Sequence, residues 1–292
     1  LQWAGIPDSI YSKSTFRNDY QDDIYARPRW VNYLKEQTHI PIDMAFAFHS
    51  DAGTTPDDSI IGTLGIYMSK SNDGIYTNRK SRESATDLTD MIQTQILSDV
   101  RKVYNPQWSR RGMWNQSYIE ARIPDVPTML LELLSHQNFA DMRYGLDPRF
   151  RFLICRAIYK GMLRYICFQN KQEPIVQPLP PDRLYTELVE TRIGWKPVQD
   201  TLEESASPTA YILYSRKDSG GFDNGTLVKG EEIILPIETG IIHSYKVAAV
   251  NKGGISFPSE IVSVYRSPKG EKDNRQWIRQ DQRSSQFREC GG

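Results

Sequence analysis

The sequence predicts an α/β domain followed by an all-β sandwich, and three observations carry that expectation. Strand-like and helix-like segments alternate through residue 172, whereas beyond residue 181 short segments of period two follow one another. Between them, Glu173-Pro-Ile-Val-Gln-Pro-Leu-Pro-Pro181 holds four prolines in nine positions, which cannot continue a helix and reads as a stiff extended linker. A chain of 292 residues agrees with two cores at about 150 residues per domain.

In the first half, Ile40 to Phe48 reads as a buried strand and Gly62 to Ser69 as another, bounded by Gly, Asp and Ser. From Ser84 to about Val103, Ala85, Leu88, Ile92, Ile96, Val100 and Val103 keep a 3.6 period, with Ser84 and Asp87 spaced like a capping box. A third apolar strand, Pro127 to Glu132, is followed by Asp147-Pro148, an N-cap and first helical position. Behind that pair Phe150, Leu153, Ile154, Ala157, Ile158, Gly161 and Tyr165 form one helical face. Alternation of this kind predicts a mostly parallel sheet with flanking helices over residues 1–172.

In the second half, Tyr211 to Tyr214, Ile233 to Ile237, Tyr245 to Val250 and Ile261 to Tyr265 alternate as strands of a sandwich over residues 182–268. Trp195 is the expected large core residue, and Tyr245, Val247 and Ala249 share the expected inward face. Residues 269–292 turn polar, with Trp277, Ile278 and Phe287 as their large apolar groups, and predict a disordered tail.

Composition narrows the functional classes. With 36 basic and 36 acidic side chains, net charge supplies no attraction to nucleic acid or an anionic membrane. The longest apolar stretches are strand-sized, so no membrane span is expected. Three cysteines, Cys155, Cys167 and Cys290, form no disulfide framework, and the first two fall within one predicted helix. No Gly-x-Ser-x-Gly motif supports a serine nucleophile.

Two apolar strands deliver polar groups at their ends. Met44-Ala-Phe-Ala-Phe-His49-Ser-Asp51-Ala-Gly53 presents a histidine, and Pro127-Thr-Met-Leu-Leu-Glu132 a carboxylate. In an open α/β sheet ligands gather outside the carboxyl ends of strands, so His49 and Glu132 can share a site. A buried carboxylate after Met129, Leu130 and Leu131 must be paired or perturbed. Arg110-Arg111-Gly112 reads as a turn in which Arg111 either contacts a substrate carboxylate or forms a surface salt bridge. His136 is a loop histidine, a substrate contact or a replacement ligand. Asp22 and Asp23 read as a solvated face or helix start, with metal ligation the lesser alternative, and His39 and His243 as structural or exposed.

Two family resemblances rest on these stretches. Trp195, Tyr211, Tyr245-Lys-Val-Ala-Ala-Val-Asn251, Gly253-Gly254 and Ser256-Phe-Pro-Ser259 resemble a fibronectin type III domain. Arg27-Pro-Arg-Trp-Val-Asn32, Ala45 to Gly53, and Pro127 to Asp141 with Gly161 to Tyr165 resemble the zinc-dependent N-acetylmuramoyl-L-alanine amidases of the amidase-3 type, which cleave peptidoglycan. That resemblance implies Zn²⁺ as cofactor, His49 as a metal ligand, Glu132 as catalytic general base and acid, and Asp51 as a residue beside the metal or substrate. Zinc on three protein ligands lowers the pKa of bound water to about 7 and polarises the scissile carbonyl.

The family's first His and Glu ligands lie upstream of the matched region, and no His precedes His39. Trp3 to Ile10 with Asn18 to Asp23 resembles a Bacteroidota branch labelled golvesin-domain or xanthan lyase proteins, in which a β-rich module interrupts the amidase domain. The resemblance therefore implies an incomplete zinc site, a chain inactive by itself, and a periplasmic, outer-membrane-associated or secreted address. A noncatalytic glycan-binding protein on an amidase scaffold and a polysaccharide lyase are the alternatives.

Overall fold

The computed structural model of the chain describes residues 1–12, 18–187, 192–268 and 277–280. It divides into two units, Leu1–Glu173 and Pro174–Gly292. The first contains helices α1 (Asp8–Tyr11) and α2 (Asp19–Glu36), strands β1 (Ala45–Asp51) and β2 (Thr63–Tyr67), helix α3 (Ser84–Val103), strand β3 (Arg110–Asn115), helix α4 (Ile119–Arg122), strand β4 (Thr128–Ser135), and helices α5 (Phe139–Gly145) and α6 (Pro148–Asn170).

The four strands lie in the order β1-β4-β2-β3. β1 runs parallel to β4, and β2 parallel to β3, but the central pair β2/β4 is antiparallel. The sheet is thus mixed, a correction to the mostly parallel sheet expected from alternation. Alternating periodicity reports which faces are buried; strand direction depends on how each connection crosses the sheet. One sheet face, with Met129, Leu131 and Leu133, packs on Leu88, Ile92, Ile96 and Val100 of α3 and on Phe150, Ile154 and Ala157 of α6. The opposite face carries a smaller cluster of Leu64, Ile66, Leu130 and Ala47.

Helix α3 covers the span predicted by its spacing, but the Ser84/Asp87 capping box does not form. Glu83 occupies the N-cap, and Ser84 Oγ donates to the Ser81 carbonyl at 2.8 Å. At α6 the predicted cap is present: the Asp147 side chain accepts from Arg149 N at 2.9 Å ahead of Pro148. The strand expected from Ile40 begins only at Ala45 and lies at the sheet edge, where Phe48 is 55% exposed. One neighbour accounts for the exposure: β4 is the strand that pairs with β1 among the described residues.

The second unit forms strands β5 (Asp182–Glu187), β6 (Arg192–Lys196), β7 (Ala210–Lys217), β8 (Thr226–Val228), β9 (Glu232–Ile234), β10 (Ile242–Asn251), β11 (Gly254–Ile255), β12 (Val262–Tyr265) and β13 (Trp277–Gln280). They make a sheet of order β5-β6-β9 and another of order β13-β12-β10-β7-β8, with β11 on β10. One core joins the two sheets: Leu184, Ile193 and Trp195 from the first meet Tyr211, Leu213, Tyr245, Val247, Ala249 and Val262 from the second. The alternation of Tyr245, Val247 and Ala249 thus points inward, as their period predicts.

One expectation in this half changes. Within the proline-rich segment Val176 is buried, its carbonyl accepts from Asn251 Nδ2 at 2.8 Å, and its amide donates to Ser205 Oγ at 3.1 Å. In the polar tail, Trp277–Gln280 pair antiparallel with β12, so a strand stands where disorder was expected; Cys290 and Phe287 lie outside the described residues. Backbone pairing needs no apolar run when an existing strand edge supplies the partner.

Candidate functional site

Parallel pairing of β1 with β4 puts His49 directly opposite Glu132; β4 does not stop at the expected Glu132 but runs on to Ser135. The register slips immediately afterwards, so that Asp51 pairs with Ser135. An irregularity of this kind re-aims the chain at a sheet end. Here Leu134 adopts φ 63° and its amide donates to the Gly62 carbonyl at 3.2 Å. Asp141 then holds the loop after β4, accepting from the Ile61 and Ser135 amides and from Asn138 Nδ2.

Glu132 is half-buried, and its Oε2 atom is shielded from solvent with no hydrogen-bond donor among the described residues. Burial raises its pKa; the nearby Asp51 and Glu120 carboxylates push the same way, while His49 and Arg111 oppose them. A buried carboxylate oxygen without a donor costs about 1–3 kcal/mol or more and is kept where chemistry or a ligand uses it.

Sequence reasoning missed the group that touches His49. His49 Nε2 lies 2.9 Å from Oε2 of Glu120, on the short helix α4. The other oxygen of Glu120 accepts from Arg27 Nη1 at 3.3 Å, and Arg27 also pairs with Asp23. Asp23, read as a solvated helix start, therefore anchors a row of charges running from α2 through α4 to His49. Helix α4 packs on β4, β2 and α2, which fixes this row across the sheet. A cleft of about 350 Å³ opens alongside, bordered by Arg27, Val31, Met44, Ala47 and Glu120. The sequence held little signal for Glu120, because its partner lies in a different strand and no local period links them.

Arg111 lies in strand β3 rather than in the expected turn, with Gly112 at φ 105° beside it. Its Nη1 meets Asp51 Oδ2 at 2.5 Å. The antiparallel half of the sheet explains the meeting: β3 starts at the sheet end where β1 and β4 finish. His136, exposed in the loop after β4, lies with Nδ1 3.1 Å from Ser50 Oγ and its amide on the Asp51 carbonyl.

His39 is exposed, and His243 is buried in the second unit, where its Nε2 accepts from the Glu238 amide at 3.1 Å. Cys155 is exposed and Cys167 buried, both on α6.

The donors at this sheet end suit zinc in kind, an imidazole nitrogen beside a carboxylate oxygen. In number they fall short, because among the described residues no three His, Cys, Asp or Glu side chains converge as ligands. What the unit presents is an α/β scaffold with a histidine, two carboxylates and an Arg–Asp pair at one sheet end. That constellation is of the kind used to move protons or hold a cation.

No protein-family model matches the chain, and no curated protein does. Among solved structures it is similar to the CwlD amidase from Clostridioides difficile, with a TM-score of 0.40 and 14% identity over 54% of this chain and 70% of that one. It is similar to N-acetylmuramoyl-L-alanine amidase AmiC2 of Nostoc punctiforme, with a TM-score of 0.35 and 16% identity over 46% and 62% of the two chains. A match covering 34% of this chain is the twitchin kinase region from C. elegans, at a TM-score of 0.28 and 22% identity over 18% of that chain. Among the described residues, no helix is long and apolar enough to cross a membrane.

Proposed function

We propose that the first unit is part of a zinc-dependent N-acetylmuramoyl-L-alanine amidase that hydrolyses the bond between muramic acid and the peptide stem of peptidoglycan. The observation that carries this reading is the orphaned, buried Oε2 of Glu132 placed opposite His49. A carboxylate whose pKa is raised by burial is suited to take a proton from water at neutral pH and return it to a leaving amine. His49 is the residue resembling a family metal ligand. On this reading Arg111, which pairs with Asp51, also contacts a carboxylate of the peptide stem.

On this reading the remaining metal ligands lie outside the described residues, among which three donors do not converge. The second unit is proposed as a fibronectin type III domain serving as a spacer at the cell surface, in a periplasmic or secreted protein. Incubating the complete gene product with purified sacculi and analysing the released peptides by mass spectrometry tests the reading. Release of stem peptides that depends on Glu132 and His49 supports it; intact sacculi, or unsaturated uronate products from a polysaccharide, overturn it.

A further inference from the structure

Between the loop that follows β1 and the helix that follows β4 lies an open cleft of about 570 Å³, which shares no lining residue with the cleft beside Glu120. Two tyrosines, Tyr104 and Tyr144, line it, and Asp58, Arg143 and Asp147 supply its charges. We infer that this cleft is a saccharide subsite taking an uncharged N-acetylhexosamine unit of a glycan chain, an inference that rests on the peptidoglycan reading for its choice of glycan.

The mix of surfaces is the first support. A pyranose ring is amphipathic, with C–H faces that pack on aromatic and aliphatic groups and equatorial hydroxyls that bond to carboxylates and guanidinium groups. The tyrosines, with Ile60 and Ala140, give the cleft its apolar lining, and the three charged side chains give it convergent polar groups. Its volume falls within the roughly 300–1,000 Å³ of small-ligand sites.

Charge is the second, because it chooses among polar ligands. Arg143 Nη2 pairs with Asp58 Oδ2 at 2.7 Å, which leaves the Asp147 carboxylate in excess. A phosphate or a peptide carboxylate meets net repulsion there, whereas a neutral hydroxyl can donate to either Asp. The Arg143 side chain, 73% exposed at the rim, disfavours a cation in turn.

Rigidity is the third. Asn138 Nδ2 donates to the Ser59 carbonyl at 2.8 Å, the wholly buried Asp141 accepts from the Ile61 amide at 3.2 Å, and Asp58 Oδ1 accepts from the Ala140 amide at 2.8 Å. The loop is thereby clamped to α5. Behind the cleft the Tyr144 ring packs edge-on against Trp108 and the Tyr104 ring against Phe150. A wall fixed before the ligand arrives lowers the ordering cost of binding.

Both walls continue from the strands that carry His49 and Glu132. A polymer extends beyond the bond that is cut, and binding of its remote units helps to position that bond.

Titration of the full chain with tetra-N-acetylchitotetraose, followed through amide signals in proton–nitrogen NMR, tests the inference. Saturable shifts centred on Ser59, Ile60 and Ala140 are expected, with affinity lowered about tenfold in R143A/Y144F and unchanged in E132Q. Should the double variant fold poorly, R143A alone decides, since that side chain is largely in solvent. No shifts, shifts confined to other residues, or equal affinity in parent and variant overturn the subsite. Larger shifts of the same amides with a free L-alanyl-D-glutamyl stem peptide overturn the saccharide as its ligand. Saccharide binding without hydrolysis of sacculi overturns the amidase reading alone, and hydrolysis without saccharide binding overturns the subsite alone.

Discussion

His49 and Glu132 are register partners on parallel strands, one ring nitrogen of His49 engaged by Glu120 and one oxygen of Glu132 left without a donor. The two residues differ in kind: His49 has an anionic partner, whereas Glu132 is held at a cost to the fold.

That cost predicts the effect of E132Q on stability. The folded-state pKa is raised, so ionisation is harder in the folded chain than in the unfolded one, and stability is lost as pH rises above the ordinary carboxylate range. Replacement by the neutral isostere should therefore raise stability at pH 7. Thermal unfolding at pH 7 checks this, with a lowered Tm as the contrary result.

A second prediction concerns the buried pair between α3 and α6. Lys160 Nζ lies 2.7 Å from Asp99 Oδ2, both side chains almost wholly buried, and Gln95 Nε2 donates to the other Asp99 oxygen at 2.9 Å. Removing one partner strands the other charge, so D99A should cost about 3–5 kcal/mol, whereas K160M/D99L together should lie close to the parent. Urea unfolding of the three proteins measures the difference.

Gly161 reverses the usual helix rule. In an exposed helix interior Gly to Ala gains up to about 1 kcal/mol. A Cβ at Gly161 would stand 2.6 Å from Ile92 Cα, where α6 crosses α3, and backbone cannot swing aside as a side-chain tip can. G161A should therefore destabilise the first unit by about 1–3 kcal/mol through overpacking. An unchanged or raised unfolding midpoint would contradict the close crossing.

His243 predicts a pH response of the second unit. Burial lowers its pKa below 6.5, more than Glu238 raises it, and its Nε2 serves as an acceptor. The folded state thus disfavours the proton, so stability is full above pH 6.5 and falls as pH drops below it. H243Q should flatten that slope below pH 6.5, as followed by tryptophan fluorescence during unfolding.

Much of the secondary structure follows from local chemistry. The period of Leu88, Ile92, Ile96 and Val100, the Asp147-Pro148 start and the alternation of Tyr245, Val247 and Ala249 each report a face or an end that neighbours in sequence define. His49 and Glu132 were legible in the same way, as polar side chains that break apolar strand runs, although β4 continues past Glu132 through Leu133 and Leu134 to Ser135. Tertiary structure decided what these residues meet. The antiparallel pairing of β2 with β4 brings Arg111 to Asp51, and the packing of α4 brings Glu120 to His49. Strand direction and helix placement are fixed by long-range packing and chain crossings, which leave no periodic trace in the residues themselves.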